Sequence, residues 1–358
     1  MASTVPDTPD NPDTPAPPSY ILCVDGGGSK CTAVLISSEG TILTGHAGPC
    51  NPSTIGIDAT IAVITSAILS ALATTDNTTS QTIASLTIAS AWVGIAGYDR
   101  PALAPAINEA VSNLLSLSLG PRLRITADID LLSVNAVKQP ETRSAIVLVA
   151  GTGSVAMSYT KMDGDAVMYR SGRVGGWGPL LGDDGSGFSI GKAALRVALR
   201  TSDAVTGDPA SNIDVPPLSQ AVFDMYKEER KATGNDFLPR DLLSCILTSS
   251  SSSSPTKTIA HAARLVLSLS KMDEQSRKIL EEGAASLADL VVELLRIQKL
   301  DPGHTALVMA GGLLCHGIYN TMVGDELARR DVKFKWSTQV ESPALEGAKF
   351  LAANNISI

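Results

Sequence analysis

Three glycine-rich turns in this sequence each follow a short apolar segment, an arrangement typical of phosphate-binding sites. They are Gly26-Gly27-Gly28-Ser29-Lys30, Gly151-Thr152-Gly153-Ser154 and Gly311-Gly312. Glycine lets backbone N–H groups approach phosphate oxygens, and consecutive amides form a nest that binds anions. Any one of these turns is equally compatible with a tight turn that binds nothing. Three of them at predicted strand ends favour a protein that binds a phosphorylated compound.

Two common phosphate-binding motifs do not match these turns when the elements predicted around them are considered. A Walker A loop requires G-x-x-x-x-G-K-[ST] followed by a helix, but Gly28-Ser29-Lys30 lacks that spacing and precedes a predicted strand. A dinucleotide fingerprint is nominally present, because Gly151-x-Gly153-x-x-Ala156 fits G-x-G-x-x-[GA]. That fingerprint must open a helix, whereas residues 155–159 predict a hairpin strand. Neither motif therefore explains the turns.

The elements around the first turn predict an α/β domain. Apolar runs at residues 20–25 and 31–37, followed by 41–45, predict a three-stranded meander. Apolar residues at helical spacing predict a helix over 58–73. The remaining predicted elements of this domain are a strand at 86–93, a helix at 101–115, a strand at 123–126 and a helix at 131–138.

A second region repeats the same beginning. Strands at 145–150, 155–159 and 166–170 surround the second glycine turn, which predicts a structural repeat. The chain is then mostly helical up to a late strand at 305–310, a helix at 313–323 and a last helix ending at 353. We expect a disordered tail at 1–19, one domain at 20–134 and a second at 135–358, with the last helix free to pack back on the first domain.

Composition narrows the class of protein. A hydrophobic content of 44% in 358 residues is sufficient for a sizeable core, and a formal charge of −8 disfavours nucleic acid and anionic membranes as partners. The five cysteines form no C-x-x-C pair and the four histidines do not cluster, so reduced thiols and no dedicated zinc site are expected. Without a secretory signal or a long apolar window, we expect a cytoplasmic protein.

The glycine turns also support a family resemblance. Asp25-Gly26-Gly27-Gly28-Ser29-Lys30 resembles the first phosphate loop of the actin-like sugar kinase superfamily, Ala150-Gly151-Thr152-Gly153-Ser154 its second, and Ala310-Gly311-Gly312 its adenosine loop. Within it, the chain is most similar to the N-acetylglucosamine kinases and the BadF/BadG/BcrA/BcrD-type ATPases. The diagnostic strings are Val93-Gly94-x-Ala96-Gly97 and Gly175-Gly176-Trp177-Gly178-x-x-x-Gly182-Asp183-Asp184-Gly185-Ser186.

The resemblance implies a fold, a reaction and its cofactors. The expected fold is α/β, with two ribonuclease H-like (actin-like ATPase) domains whose mixed sheets flank a nucleotide cleft. The expected reaction is transfer of phosphate from ATP, with Mg²⁺, to the 6-hydroxyl of N-acetylglucosamine. The implied ATP-binding residues are Gly27, Gly28, Ser29, Lys30, Thr152, Gly153, Ser154, Gly311 and Gly312.

Two aspartates have the most specific implied roles. Asp25 would hold Mg²⁺, or alternatively would only cap its turn. Asp128 would be the general base that accepts the proton of the sugar hydroxyl, or alternatively the N-cap of the helix predicted from Leu131. Asp130 lies nearer to that cap, which favours the catalytic role for Asp128.

The implied substrate residues come from several separate segments. They are Asn51, Gly97, Asp128, Gly176, Trp177, Gly178 and Asp183. Trp177 could instead be a core aromatic residue, although its flanking glycines favour an exposed loop. One departure concerns the residue after the substrate Asn, where related kinases usually have an aromatic residue and this chain has Pro52-Ser53-Thr54.

Two other functions fit the same fold. BadF-type relatives include ATPase activators that carry a cysteine-ligated iron–sulfur cluster at a dimer interface, which requires converging thiolates. A sugar sensor that binds without turnover is the third interpretation. The expected partner is a small-molecule sugar, not nucleic acid or a membrane, and the resemblance leaves a homodimer open.

Overall fold

The computed structural model describes residues 18–354 except 75–81, 140, 163, 164, 166, 208–213, 233 and 249–254. The tail predicted at 1–19 lies outside the described residues as far as residue 17, and Ser19 already begins the first strand. The chain forms two compact units, residues 1–131 with 344–358, and residues 132–343. The last helix is therefore grouped with the first unit, an arrangement that the sequence left open. The predicted boundary after residue 134 stays a prediction.

The first unit contains a five-stranded mixed sheet with the order β3-β2-β1-β4-β5. Strands β1 to β3 form an antiparallel meander, and β4 and β5 run parallel to β1. All seven residues of β2 are buried, which explains its continuous apolar sequence. The elements are β1 (Ser19–Gly26), β2 (Cys31–Ser37), β3 (Ile42–Ala47), α1 (Pro52–Ile55), α2 (Ile57–Leu72), β4 (Thr87–Ile95), α3 (Ala104–Leu115) and β5 (Leu123–Thr126), with 3₁₀ helices at Ile83–Ser85 and Asp128–Ser133.

The second unit repeats this topology. Its sheet has the order β10-β9-β6-β7-β8, which is the order of the first sheet read from the opposite edge. The strands are β6 (Ser144–Ala150), β7 (Ser154–Lys161), β8 (Met168–Gly175), β9 (Thr305–Ala310) and β10 (Trp336–Val340). The α/β fold class with two mixed sheets and the structural repeat are thus confirmed.

Most helices of the second unit lie between β8 and β9 along the chain, and they pack around the core of this unit. The long helix α10 buries ten of its residues, including a Leu and Val row that faces the sheet. The helices are α4 (Val134–Val137), α5 (Gly187–Gly207), α6 (Pro217–Ala232), α7 (Leu242–Thr248), α8 (Pro255–His261), α9 (Ala263–Leu269), α10 (Glu274–Gln298) and α11 (Gly317–Arg329), with 3₁₀ helices at Pro239–Asp241 and Pro302–His304.

The last helix, α12 (Pro343–Asn354), packs against the sheet of the first unit. A Cβ atom on Gly347 would lie 2.5 Å from Cys23 Sγ, so only glycine allows this close approach. Phe350 meets the buried Trp92 of β4 edge to face, with ring centroids 6.3 Å apart. No helix in the described part of the chain is long and apolar enough to cross a membrane.

Several predicted elements have different bounds in the structure. The helix predicted at 131–138 is a 3₁₀ helix from Asp128 followed by the single turn α4. The helix predicted at 313–323 begins at Gly317, because residues after Gly311 form turns. The short helix α1 and the edge strand β10 were not predicted.

Helix α2 approaches β3 at a glycine, which yields a test of the packing. A Cβ atom on Gly45 would lie 2.1 Å from the backbone nitrogen of Ala71 and 2.2 Å from the carbonyl oxygen of Ala67. Backbone atoms cannot rotate away, so Gly45→Ala is expected to destabilise the protein by about 3 kcal/mol, at the upper end of overpacking effects. Urea unfolding measures this, with Gly48→Ala as the control because nothing lies within 4 Å of its added methyl group. Equal midpoints for the two variants would contradict the packing.

Candidate active site

The first glycine turn joins β1 to β2 and presents unused backbone amides. Gly26 pairs with Cys31 at the base of the hairpin, and the Gly27 amide donates to the Lys30 carbonyl at 2.9 Å. Gly28, Ser29 and Lys30 are exposed. Within the described residues, no acceptor faces the amides of Gly28 and Ser29. The turn therefore offers two donors to an anion, while the Gly27 amide is already used.

Two carboxylates lie at the same edge of this sheet, because β1 and β5 both run parallel to β4. Asp25 is the second-last residue of β1, and its pKa is raised to about 7 by burial and by the negative charge of Asp128, against the opposing effect of Lys30. Asp128 follows β5, and its pKa is raised to about 6 by burial and by the charges of Asp130 and Asp99, against a hydrogen bond from Ile129. Like charges held together in a desolvated position favour protonation or a bound cation.

The two carboxylate oxygens of Asp128 have different surroundings. Its Oδ1 accepts a hydrogen bond from the Ile129 amide at 3.0 Å. Its Oδ2 faces the first glycine turn, since a Cβ atom on Gly27 would lie 4.0 Å from it. Asp128 thus does begin the 3₁₀ helix, as the capping alternative implies, but only one of its oxygens contributes to that cap. The other faces the turn.

Asn51 lies next to the same turn. It caps the short helix α1, with Oδ1 accepting from the Ser53 amide at 2.9 Å, and this leaves the Nδ2 group to donate elsewhere. The Cys50 amide donates to the Gly27 carbonyl at 2.9 Å, which fixes the Asn51 segment to the turn. Gly97, at φ +79°, packs on Asn51, because a Cβ atom there would lie 2.7 Å from Oδ1. The structure therefore brings together four predicted residues of the first unit: Gly27, Asn51, Gly97 and Asp128.

In the second unit, the turn Gly151-Thr152-Gly153-Ser154 lies at the start of α5. The carbonyl groups of Gly151 and Thr152 accept hydrogen bonds from the amides of Gly187 (2.8 Å) and Phe188 (3.1 Å). The Gly151 amide donates to the Gly153 carbonyl at 2.9 Å. No described residue accepts from the amides of Thr152 and Gly153. The second turn therefore offers two amide donors to an anion, as the first turn does.

The third turn lies directly beside the second. Gly311 has φ +93°, and a Cβ atom there would lie 2.5 Å from the carbonyl oxygen of Ala150, so a larger residue is excluded. The Leu313 amide donates to that same carbonyl at 3.1 Å. The turns that precede Ser154 and follow β9 are thus one connected structure within the second unit.

The Gly175–Ser186 string forms a loop that is attached to the second turn through Asp183. Asp183 has φ +61°, and its Oδ1 accepts from the Ser154 amide at 3.4 Å. A Cβ atom on Gly153 would lie 2.7 Å from Asp183 Oδ2. Ser154 Oγ donates to the Asp184 carbonyl at 2.8 Å. Burial raises the pKa of Asp183, against hydrogen bonds from the amides of Ser154 and Gly178.

Trp177 lies on the same loop and is 66% exposed, so the core alternative is wrong and the exposed loop is confirmed. Gly176 and Gly178 on either side have φ values of +69° and +84°, which turn the chain outward. Arg173, a residue that the sequence did not single out, braces this loop by donating to the carbonyl groups of Gly175 at 3.1 Å and Gly176 at 2.6 Å. Only its position two residues before the glycine string could have indicated that role.

A protein family and several known proteins are similar to this chain. The model of the BadF/BadG/BcrA/BcrD ATPase family matches residues 22–352. The chain belongs to this family. It is 28% identical over 337 residues to the N-acetyl-D-glucosamine kinase of Dictyostelium discoideum, covering 93% of this chain and 97% of that protein. It is 27% identical over 298 residues to the N-acetylmuramic acid/N-acetylglucosamine kinase of Clostridium acetobutylicum, covering 82% and 85%.

Solved structures support the fold of this ATPase-family member. A Porphyromonas gingivalis protein, provisionally named an N-acetylglucosamine kinase, aligns with a TM-score of 0.65 at 20% identity and covers 94% of this chain and 99% of its own. A Chromobacterium violaceum protein with the same provisional name gives 0.60 at 20% identity, covering 93% and 98%. At this identity the likeness concerns the fold alone. The family resemblance inferred from the glycine strings is confirmed.

The elevated pKa of Asp25 makes a prediction about stability. A carboxyl group whose pKa is 3.8 when unfolded and about 7 when folded binds more protons in the folded state, so folding becomes less favourable as pH rises between these values. Asp25→Asn removes the charge and should raise the melting temperature by several degrees at pH 8. The gain should nearly vanish at pH 4.5. Asp203→Asn, an exposed residue of α5, is the matched control, and a loss of stability in Asp25→Asn at pH 8 would contradict the account.

Proposed function

We propose that this protein is an ATP-dependent sugar kinase that transfers the γ-phosphoryl group of ATP to the 6-hydroxyl of N-acetylglucosamine. The observation that carries the proposal is the position of Asp128, whose Oδ2 faces a glycine turn with two unused amides. Phosphoryl transfer depends on such positioning and on charge stabilisation more than on covalent chemistry by the protein. The choice of sugar comes from the two similar kinases, because N-acetylglucosamine appears in both of their names.

The phosphate groups of ATP would accept hydrogen bonds from the turn amides that have no acceptor among the described residues. In the first unit these are the amides of Gly28 and Ser29, and in the second unit those of Thr152 and Gly153. Hydrogen bonds to an ionised oxygen are roughly twice as strong as neutral ones. The absence of a side chain on Gly27 would let the phosphate groups approach the turn. Lys30 would contribute its positive charge, and Ser154 would hold the second turn in place. Gly311 and Gly312 would leave room for the adenosine.

The residues present fit a magnesium ion that arrives with the nucleotide. Among the described residues, no group of three or more His, Cys, Asp or Glu side chains is arranged to hold a metal by itself. Mg²⁺ is usually held by one or two carboxylates together with substrate phosphates and water. Asp25 is such a carboxylate, and the neighbouring charge of Asp128 that raises its pKa is a repulsion that a cation would relieve. Bound there, the ion would neutralise phosphate charge.

Asp128 would act as the general base. Its pKa of about 6 leaves it ionised at neutral pH and yet a better proton acceptor than an ordinary aspartate. One oxygen is fixed by the Ile129 amide, so the carboxylate cannot turn freely, and the other can accept the proton of the attacking hydroxyl.

The sugar would be held by groups that the structure already orients. The Nδ2 group of Asn51 is available as a donor, because Oδ1 already accepts from the Ser53 amide. Gly97 packs against this side chain and leaves it room, since a Cβ atom there would lie 2.7 Å from Oδ1. Asp183 offers acceptor oxygens fixed by Ser154, and the exposed ring of Trp177 offers an apolar face. Gly176 and Gly178 would set the direction of that ring.

The decisive experiment measures ADP release by wild-type protein with ATP, Mg²⁺ and a panel of amino sugars and plain hexoses. We expect release only when an amino sugar is present, and a loss of about a hundred- to ten-thousand-fold in kcat for Asp128→Asn. The melting temperature of this variant should not fall below that of the wild-type protein, because burial raises the pKa of Asp128 and the substitution removes that buried charge. Asp130→Asn is the matched control, since it removes the same charge two residues away, and it should keep turnover within about tenfold.

Other outcomes would assign a different function. Release of ADP without sugar favours the ATPase activator, and sugar binding without release favours the sensor. Near-normal turnover of Asp128→Asn would show that another group is the base.

A further inference from the structure

Two buried cysteines meet beneath the first glycine turn. Cys31 begins β2 directly after the exposed Lys30, and Cys50 directly precedes Asn51. Cys31 pairs with Gly26 across β1 and β2, and a Cβ atom on Gly26 would lie 2.8 Å from Cys50 Sγ. The neighbouring thiol of Cys50 is the first cause of the raised pKa of Cys31, ahead of burial, so the two side chains are close together. The Cys50 thiol therefore occupies the space that a side chain on Gly26 would need, on the face of the hairpin where Cys31 pairs with Gly26.

This placement meets one requirement of a disulfide, which is that the two thiols lie close together. Two cysteines can be bridged when their Cα atoms are about 4.4–6.8 Å apart and their side chains converge. Facing residues of an antiparallel pair are about 4.5–5.5 Å apart, which sets the distance from Gly26 to Cys31. Cys50 is held to the same turn by its amide, which donates to the Gly27 carbonyl at 2.9 Å. Both cysteines are therefore anchored to the same turn, Cys31 by the pairing of β1 with β2 and Cys50 by this amide bond.

We propose that Cys31 and Cys50 are a site of reversible disulfide formation that locks the first glycine turn to the Asn51 segment. The oxidant is a low-molecular-weight disulfide. One cysteine thiolate attacks it and releases one small thiol, and the other cysteine then displaces the second. The two protein thiols lose two protons and two electrons, and the reagent takes them up as two thiols.

Local opening gives the reagent access. Both thiols are fully buried, but each cysteine adjoins an exposed residue, Lys30 and Pro49. Short loops of this kind open without unfolding of the sheet behind them. Burial makes the reaction slow and ties its rate to movement of these loops.

The bond would change the site described above. A disulfide has an S–S distance of about 2.05 Å, shorter than a hydrogen bond between two thiols. Its formation draws Cys50 toward Cys31 and moves the adjoining Asn51 relative to the turn. The effect on turnover rests on the proposed kinase function, whereas formation of the bond does not.

The experiment treats the full-length protein with 2-hydroxyethyl disulfide, alkylates the remaining thiols and digests without reduction. Cleavage after Lys30 and Glu39 places Cys23, Cys31 and Cys50 on three different peptides, so mass spectrometry identifies the bonded pair directly. We expect the Cys31 and Cys50 peptides joined, with the mass of their sum less two hydrogen atoms. The joined species should be absent from Cys31→Ser and from Cys50→Ser.

Cys23→Ser is the matched control, because Cys23 is equally buried in the same sheet but packs on Gly347. The joined peptide should persist in that variant. Sugar-dependent ADP release should fall about tenfold on oxidation, recover with dithiothreitol, and not respond to the oxidant in Cys50→Ser.

Three results would overturn the proposal or part of it. Mixed disulfides on all three cysteines with no joined peptide would overturn the site. A joined peptide that includes Cys23 would show that the proposed pair is wrong. A correct joined peptide with unchanged ADP release would overturn the regulatory effect. Protein that releases no ADP before oxidation refutes the kinase proposal, and the mass measurement still decides the disulfide.

Discussion

Unused backbone amides in glycine turns are the feature on which the rest of this structure depends. In the part of the chain that the structure describes, the amides of Gly28, Ser29, Thr152 and Gly153 have no acceptor, and neighbouring amides hold each turn closed. An amide donor fixed in this way needs no reorganisation when charge arrives, which is the main advantage of a preorganised site. Residues with side chains would not fit at two positions of these turns. A Cβ atom would meet the Asp183 carboxylate at Gly153 and the Ala150 carbonyl at Gly311.

The same meander is used for different purposes in the two units. In the first unit the turn after β1 is surrounded by carboxylates, Asp25 and Asp128, whose pKa values are raised by burial. In the second unit the equivalent turn after β6 is attached to a helix start and to Asp183. One topology therefore carries two carboxylates of raised pKa beside its turn in one copy and a loop anchored through Asp183 in the other. The two copies differ because different residues follow the parallel strands in the two sheets.

Sequence patterns were most informative where burial is continuous. Strands β2, β5 and β9 have their predicted bounds to the residue, because each is a short apolar run closed by polar or glycine residues. The edge strand β10 alternates partly buried and exposed positions and carries a weaker signal. The helix α1 has only four residues and is held by the cap from Asn51, a side chain that the sequence assigned to substrate alone.

Within the candidate site, residue types could be predicted but their tertiary partners could not. The glycine strings identified the turns, yet the contact of Asp183 with Ser154 joins residues 29 positions apart and depends on a left-handed aspartate. Likewise the meeting of Cys31 and Cys50 follows from the register of β1 and β2 and from the Cys50 amide bond, neither of which is encoded in local spacing.

Amide chemical shifts test the central claim most directly. In protein labelled with ¹⁵N-glycine, addition of Mg²⁺ and a non-hydrolysable ATP analogue should shift the Gly28 and Gly153 amide protons strongly downfield, because they gain phosphate acceptors. The amides of Gly27 and Gly151 already donate to Lys30 and Gly153 carbonyl groups and should move much less. Saturating nucleotide that leaves Gly28 and Gly153 unshifted would contradict the account.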